Sequence, residues 1–304
     1  MKKIICIVVT YNRKELLREC LDALLAQTLL PDEILVFNNH STDGTETLFV
    51  PGTEYDQERI RLVTSDSNLG GAGGFSAGIK LAAEEDCEWL WIMDDDSVPE
   101  PEALQRLMHA ADFLQRQKEP AGFLASFVYG PQGEPMNVPR IDESPAQNGY
   151  PYWYKYLGEG LVRIREATFV SLLIPKKAVE AVGYPIAEYF LWGDDAEYTR
   201  RIVTEYAPAW FCGSSRVLHK RRNAKRIDIL QETEKNRLPV YRYHYRNALL
   251  NDAKYEKKTK VIIRWLYYFA LSFRCLLNPK GTCRVQKFAA LQKGIWMFLF
   301  KIMR

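Results

Sequence analysis

Three consecutive aspartates, Asp94, Asp95 and Asp96, end the apolar run 89–93, "WLWIM". Adjacent anions beside a core repel one another, and ordering them there is costly unless positive charge compensates. A divalent ion carrying a phosphorylated ligand is one compensator, because Mg²⁺ and Mn²⁺ favour a few carboxylates plus phosphate oxygens. A solvated turn with an aspartate helix cap is the plainer reading. A second acidic pair, Asp194 and Asp195, sits in "FLWGDDAEYTRR", residues 190–201. These two either cap a helix, whose positive N-terminus favours carboxylates, or supply a general base to an attacking hydroxyl. The aromatic lead-in of Tyr189, Phe190 and Trp192 suits sugar stacking or plain core packing. His219, in "VLHKRR", is one of four histidines. It is a surface or core residue, or it completes a metal site.

Placing these groups falls to an alternation of strands and helices. "KIICIVV", "DEILVF", "RIRLVTS" and "CEWLWIM" read as strands, and the segments between them read as amphipathic or capped helices. The pattern predicts an α/β fold with a mostly parallel sheet flanked by helices on both faces. Ligands of such sheets bind beyond the carboxyl ends of the strands. The first strand end carries Thr10, Asn12 and Arg13, and the second Asn38, Asn39 and Asp43. The third carries Asn68 and the run "NLGGAGG" with Gly70 and Gly71, and the fourth the three aspartates. All four should open onto one edge. The glycine run is either a flexible turn or a place where backbone N–H groups approach a phosphate or sugar. It lacks dinucleotide-fingerprint spacing, and no G-K-[ST] exists to make a P-loop. Residues 127–166, rich in Pro, Gly and Tyr, form an irregular stretch, either a binding lid or a hairpin insertion. A strand ending at His219 follows the second acidic pair.

Composition narrows the classes. The chain has 304 residues, and its six cysteines include no C-x-x-C pair. That excludes a zinc ribbon and a disulfide framework and fits a reducing compartment. The net charge of +3 hides a division: residues 216–304 hold 22 Lys/Arg against 5 Asp/Glu, and residues 1–215 hold 19 against 33. We therefore expect an acidic catalytic domain, residues 1–225, and a basic helical region, residues 226–304.

Taken in order, "IVVTYNRKELLRECLDALLAQT", "NNHSTDGT", "NLGGAGGFSAG", "WIMDDDSV" and "FLWGDDAEYTRR" resemble a family 2 glycosyltransferase of the GT-A (Rossmann-like) fold. The resemblance spans residues 3–220, and is closest to bacterial galactofuranosyltransferases, with rhamnosyltransferases as near relatives. It implies that Thr10, Asn12, Arg13, Asn38, Asn39, Asn68, Gly70 and Gly71 bind the nucleotide-sugar donor together with Asp94 and Asp95. It also implies that Asp94, Asp96 and His219 hold Mn²⁺ or Mg²⁺, that Asp195 beside Asp194 is the catalytic base, and that Trp192 and Phe190 meet the acceptor. The implied reaction is an inverting transfer from UDP-galactofuranose to a hydroxyl of a cell-surface or lipid-linked glycan, with dTDP-rhamnose the alternative donor. Two positions depart from the pattern. Asn38 stands where many relatives carry an aspartate that reads the base, and Gly193 separates Trp192 from the aspartates.

The basic region contains "TKVIIRWLYYFALSFRCLL" and "QKFAALQKGIWMFLFKIMR", each apolar but interrupted by Lys or Arg. Neither reads as a spanning helix; both suit helices on an anionic membrane surface, with domain packing or a homo-oligomer interface as alternatives. No nucleic-acid motif is present. The expected location is cytoplasmic, peripheral on the inner face of the cell membrane. A glycoside hydrolase with paired carboxylates or a sugar-nucleotide-binding subunit without turnover are the rival classes.

Overall fold

The computed structural model describes residues 3–53, 55, 58–221, 227–279 and 281–302. The chain divides into two compact units, one made of Met1–Ala187 with Tyr198–Ala224 and the other of Glu188–Glu197 with Lys225–Arg304. The boundary expected at 225/226 lies outside the described residues.

The first unit opens with β1 (Ile4–Thr10), α1 (Lys14–Leu25), β2 (Glu33–Asn38) and β3 (Ile60–Thr64). It continues with α2 (Gly70–Glu84), β4 (Trp89–Asp94), β5 (Ser97–Pro99) and α3 (Ala103–Arg116). Then come β6 (Leu124–Tyr129), β7 (Arg140–Ile141), β8 (Leu161–Glu166), β9 (Leu172–Pro175) and α4 (Lys176–Val182). Helix α5 (Asp194–Glu205), whose first four residues belong to the second unit, leads into β10 (Ala209–His219). The strands form one sheet in the order β3-β2-β1-β4-β9-β6-β10-β8-β7, with β5 on β10. Pairing is parallel across β3, β2, β1 and β4, where the sequence alternates strand and helix. Beyond β4 it becomes mixed: β9 runs antiparallel to both neighbours, and β6 pairs parallel with β10.

Because successive side chains of a strand point to opposite faces, β1 serves two cores. Ile4, Cys6 and Val8 pack with Leu17, Leu21 and Leu24 of α1 and Leu104 and Leu107 of α3. Ile5, Ile7 and Val9 pack with Phe75 and Ile79 of α2. Every residue of β1 is buried, as a central parallel strand requires.

The glycine run is helix, not a flexible turn: Gly70–Glu84 is continuous α2. Its glycines permit close approach to the sheet. A Cβ on Gly74 would lie 2.6 Å from Val9 Cγ1, and one on Gly78 would lie 2.9 Å from Ile7 Cγ2. The irregular stretch 127–166 returns to the sheet edge as the antiparallel pair β7–β8.

The second unit carries α6 (Tyr241–Tyr255), α7 (Lys258–Leu277) and α8 (Arg284–Ile302). Tyr241, Tyr245, Leu249, Tyr268, Leu271, Leu291, Ile295 and Phe298 form its core. No helix among the described residues is long and apolar enough to cross a membrane.

Gly74→Ala tests the α2–β1 approach. Overpacking costs ~1–3 kcal/mol and outweighs the ~1 kcal/mol helix-propensity gain of alanine, so the urea midpoint should fall with an unchanged slope. A midpoint at or above wild type would mean that Val9 yields freely.

Candidate active site

Parallel pairing aligns the carboxyl ends of β1, β2 and β4: Thr10 lies opposite Asn38, and Val9 opposite Asp94. The residues that follow therefore meet. Thr10 Oγ1 donates to Asp95 Oδ2 at 2.8 Å. Arg13 Nη1 donates to Asp95 Oδ1 at 3.1 Å and to Asp96 Oδ2 at 2.8 Å. Asp95 and Asp96 are buried, with 3% and 4% exposure, so this guanidinium provides the compensation that three adjacent carboxylates need.

His219 arrives through a different pairing. Strand β5, directly after the aspartates, runs antiparallel to β10 and sets His219 opposite Ser97. Its Nε2 lies 3.0 Å from Asp96 Oδ1, and its Nδ1 lies 2.8 Å from Asn137 Oδ1. In the tautomer with its proton on Nδ1, the ring donates to the Asn137 amide oxygen and offers the Nε2 lone pair to a metal ion. One ligand atom from each of Asp94, Asp96 and His219 falls within 4.8 Å of the others. Two carboxylates and an imidazole fixed by its own hydrogen bond are a donor set that fits Mn²⁺ or Mg²⁺.

Electrostatics differ within the cluster. Burial drives the Asp95 carboxyl up to about 6, with Arg13 opposing and Asp96 adding to the rise. Burial also raises Asp96, but the hydrogen bond and charge of His219 together with Arg13 outweigh it, and Asp96 ends below the ordinary carboxylate range.

The remaining strand-end residues hold one another. Asn39 Nδ2 donates to Asn68 Oδ1 at 3.1 Å and to the Gly70 carbonyl at 3.0 Å, and its Oδ1 accepts from Leu69 N at 2.8 Å. Gly70 N donates to Asn68 Oδ1 at 2.8 Å, and Gly71 follows in the first turn of α2. Asn38 Oδ1 accepts from Ser41 N at 3.0 Å. Asn12, at φ 53°, accepts from Thr42 N at 2.6 Å and donates its own N–H to Ser41 Oγ at 2.9 Å. Asn39 and Asn68 thus link the β2 and β3 loops, and Asn12 ties the β1 loop to the β2 loop. Asn137 was not legible in the sequence, since it lies in the irregular stretch and follows no period.

Asp194 and Asp195 belong to the second unit, at the start of α5. They follow a strap in which Phe190, Trp192 and Gly193 have φ of 64°, 63° and 86°. Non-glycine residues in left-handed conformations cost on the order of 1–3 kcal/mol each. The two expected acceptor aromatics both pack on α6: the Phe190 ring lies 4.7 Å from Tyr243, and Trp192 meets Tyr241 at 5.3 Å and His244 at 6.0 Å. Asp194 is buried, with 6% exposure, and burial, the neighbouring Asp195 charge and Glu197 push its carboxyl well above the ordinary range. Asp195 is half-buried and its Oδ1 accepts from Ala196 N at 2.7 Å.

A carboxyl raised on folding favours the protonated native state, so its contribution is greatest below its unfolded pKa and is lost as pH rises towards the folded one. Asp194→Asn removes that loss. Its stability advantage over wild type, read from urea unfolding, should be larger at pH 8 than at pH 4.5 by at least ~1 kcal/mol. An advantage independent of pH would contradict the burial account.

Comparison with known proteins bears on the family and the fold. The family model of glycosyl transferase family 2 matches residues 5–157, the segment that supplies β1, β2 and the three aspartates. The galactofuranosyltransferase GlfT1 of Mycolicibacterium smegmatis is 25% identical over 307 residues, covering 94% of this chain and 96% of that protein. GlfT1 of Mycobacterium tuberculosis is 29% identical over 237 residues, covering 72% and 70%. Among solved structures, GalNAc-T7 with UDP, GalNAc and Mn²⁺ superposes with a TM-score of 0.60 at 14% identity, over 99% of this chain and 57% of that one. S. aureus TarS 1–349 in complex with UDP superposes with a TM-score of 0.51 at 15% identity, over 97% and 89%. With strand-end carboxylates, a GT-A sheet and a matching family model, the chain belongs to glycosyl transferase family 2 and is a glycosyltransferase acting with a nucleotide-sugar donor.

Proposed function

We propose that the protein is an inverting, metal-dependent galactofuranosyltransferase that uses UDP-galactofuranose and a hydroxyl of a cell-surface or lipid-linked glycan. The observation that carries the metal reading is the Asp94–Asp96–His219 triad, with His219 oriented by Asn137. Similarity to GlfT1 over nearly the whole chain favours the galactofuranose donor over dTDP-rhamnose. A divalent ion bound by these three residues would supply charge neutralisation for the nucleoside diphosphate leaving group. Arg13 keeps Asp95 and Asp96 compensated while the donor is absent. Thr10, Asn12, Asn38, Asn39, Asn68, Gly70 and Gly71 form the donor-binding edge, with Asp95 beside the sugar or ribose. Asp195 takes the proton of the acceptor hydroxyl as its oxygen bonds to the anomeric carbon. The bond from that carbon to the diphosphate oxygen breaks, its electron pair leaves with the nucleotide, and the configuration inverts. Phe190 and Trp192 border the acceptor. Asp194, adjacent and protonated, leaves the negative charge of the pair on Asp195.

The basic region, residues 226–304, supports peripheral contact with anionic lipid on the inner face of the cell membrane. Helices α7 and α8 carry lysines and arginines and no acidic residue. One face of α7, with Ile262, Ile263, Leu266, Tyr267 and Leu277, is exposed. An apolar stripe within a wholly basic pair of helices is complementary to an anionic bilayer.

Three measurements test these readings. Calorimetric titration with UDP, dTDP and GDP, each with Mn²⁺ and then EDTA, should give binding strongest for UDP and abolished by EDTA. Preference for dTDP would favour rhamnose, and no nucleotide binding would sink the assignment. Asp195→Asn should lower kcat on the order of 10²–10⁴-fold with UDP affinity retained, whereas full transfer would remove Asp195 from the role of base. Ile263→Asp combined with Leu266→Asp should reduce sedimentation with phosphatidylglycerol vesicles at least tenfold; unchanged binding would assign that face to something other than lipid.

A further inference from the structure

The strap 188–193 is held almost entirely by one helix of its own unit. Asn247 of α6 is fully buried, and its Nδ2 lies 2.9, 3.1 and 2.7 Å from the carbonyls of Tyr189, Leu191 and Trp192. An amide nitrogen has two hydrogens, so one of these bonds is shared. The preceding residue, Arg246, donates through Nη2 to the carbonyls of Glu188 at 2.6 Å and Tyr189 at 3.0 Å. Its Nε fixes the orientation of the amide by donating to Asn247 Oδ1 at 2.8 Å. One turn further along α6, Asn251 Nδ2 donates to the Gly193 carbonyl at 2.9 Å, and Asn251 Oδ1 accepts from Tyr189 Oη at 2.8 Å. Three side chains on α6 thus receive the carbonyls of residues 188, 189, 191, 192 and 193.

Those carbonyls belong to a backbone that would not hold its shape alone. Phe190 and Trp192 are bulky residues at positive φ, where such residues are outliers. They persist only where surrounding structure over-determines them. Gly193, also at positive φ, lets α6 come close: a Cβ there would lie 3.2 Å from Asn247 Cβ. That approach accounts for the glycine between Trp192 and the aspartates. The grip extends into the first turn of α5, where Glu197, fully buried, accepts from Lys254 Nζ at 2.8 Å and from Tyr255 Oη at 3.2 Å. Gly193 O also accepts from Glu197 N at 3.0 Å, so the clamped carbonyl belongs to the first turn bearing Asp194 and Asp195.

We propose that Asn247, backed by Arg246 and Asn251, is a positioning residue for catalysis: it holds the left-handed strap and so sets where the Asp195 carboxylate stands. This rests on the reading of Asp195 as the general base. The basic C-terminal region then has a part in the chemistry besides any contact with membrane. A clamp acting through Asp195 affects proton removal and leaves nucleotide binding to the strand-end residues of the first unit.

The test uses the full chain with Asn247→Ala, Asn251→Ala and Asp195→Asn, singly and combined. Expected are a kcat at saturating acceptor at least tenfold lower for Asn247→Ala and several-fold lower for Asn251→Ala, with the Kd for UDP in Mn²⁺ within twofold of wild type. In the Asp195→Asn background neither alanine should lower residual turnover more than twofold, because a group acting through Asp195 has nothing left to position. Equal losses in both backgrounds, or a folded Asn247→Ala protein with wild-type kcat, would overturn the proposal. Should Asn247→Ala fail to fold, Asn251→Ala, which removes one bond to the strap, carries the same comparison, and a wild-type kcat there is decisive against it. Full transfer by Asp195→Asn would instead refute the base assignment, a separate outcome visible before any α6 variant is made.

Discussion

Burying carboxylates at the end of a central strand is the constraint around which the first unit is built. Strand β4 is apolar to Met93 because it lies between β1 and β9 with packed cores on both faces. Asp95 and Asp96 inherit that burial. Each loses hydration that a surface aspartate keeps, and the loss is several kcal/mol per ion unless partners replace it. Arg13 and Thr10 come from the end of β1, and His219 comes from β10 by way of β5. Removing any one partner leaves a buried charge less compensated, so the loops after β1, the β5–β10 pairing and the Asn137 turn are tied to the same few atoms.

The second unit meets the same problem differently. Burial, Asp195 and Glu197 all raise the Asp194 carboxyl. A proton then takes the place that Arg13 and His219 fill at the other cluster. Glu197 instead accepts from Lys254 Nζ at 2.8 Å. The adjoining strap adds backbone strain, offset by amide and guanidinium donors from α6. Acidic groups and a strained backbone held within a packed unit are the combination found where proteins keep reactive groups in place.

Helices α7 and α8 divide their surfaces. Tyr268, Leu271, Cys275, Leu291 and Ile295 close the core of the second unit, and Gly294 lets α8 approach α6 to where a Cβ would lie 2.7 Å from the Arg242 carbonyl. The opposite face of α7 stays exposed. Packing thus takes one side of these helices and leaves apolar residues of the other side exposed.

Much was legible from sequence alone because hydrophobic period and chain order are local. The alternation up to Asp94 specified four parallel strands, and parallel strands bring their carboxyl ends to one edge, so Thr10, Arg13, Asn38, Asn39 and the aspartates had to converge. The charge division at residue 216 and the amphipathic helices beyond it were visible for the same reason. Other decisions needed tertiary structure, since they turn on contacts between distant segments. The glycine run, open in the sequence to a flexible turn or to a backbone that approaches a phosphate or sugar, lies in helix α2, and Gly74 is required there because Val9 leaves no room for a larger side chain. Asn137 meets His219 across 82 positions of chain, and Asn247 meets Trp192 across 55. No period announces such pairs. Residue type and order determined which groups could act and at which strand ends; only packing decided which of them hold one another and which amides hold the strained backbone, because hydrogen bonds of buried groups depend on positions in space.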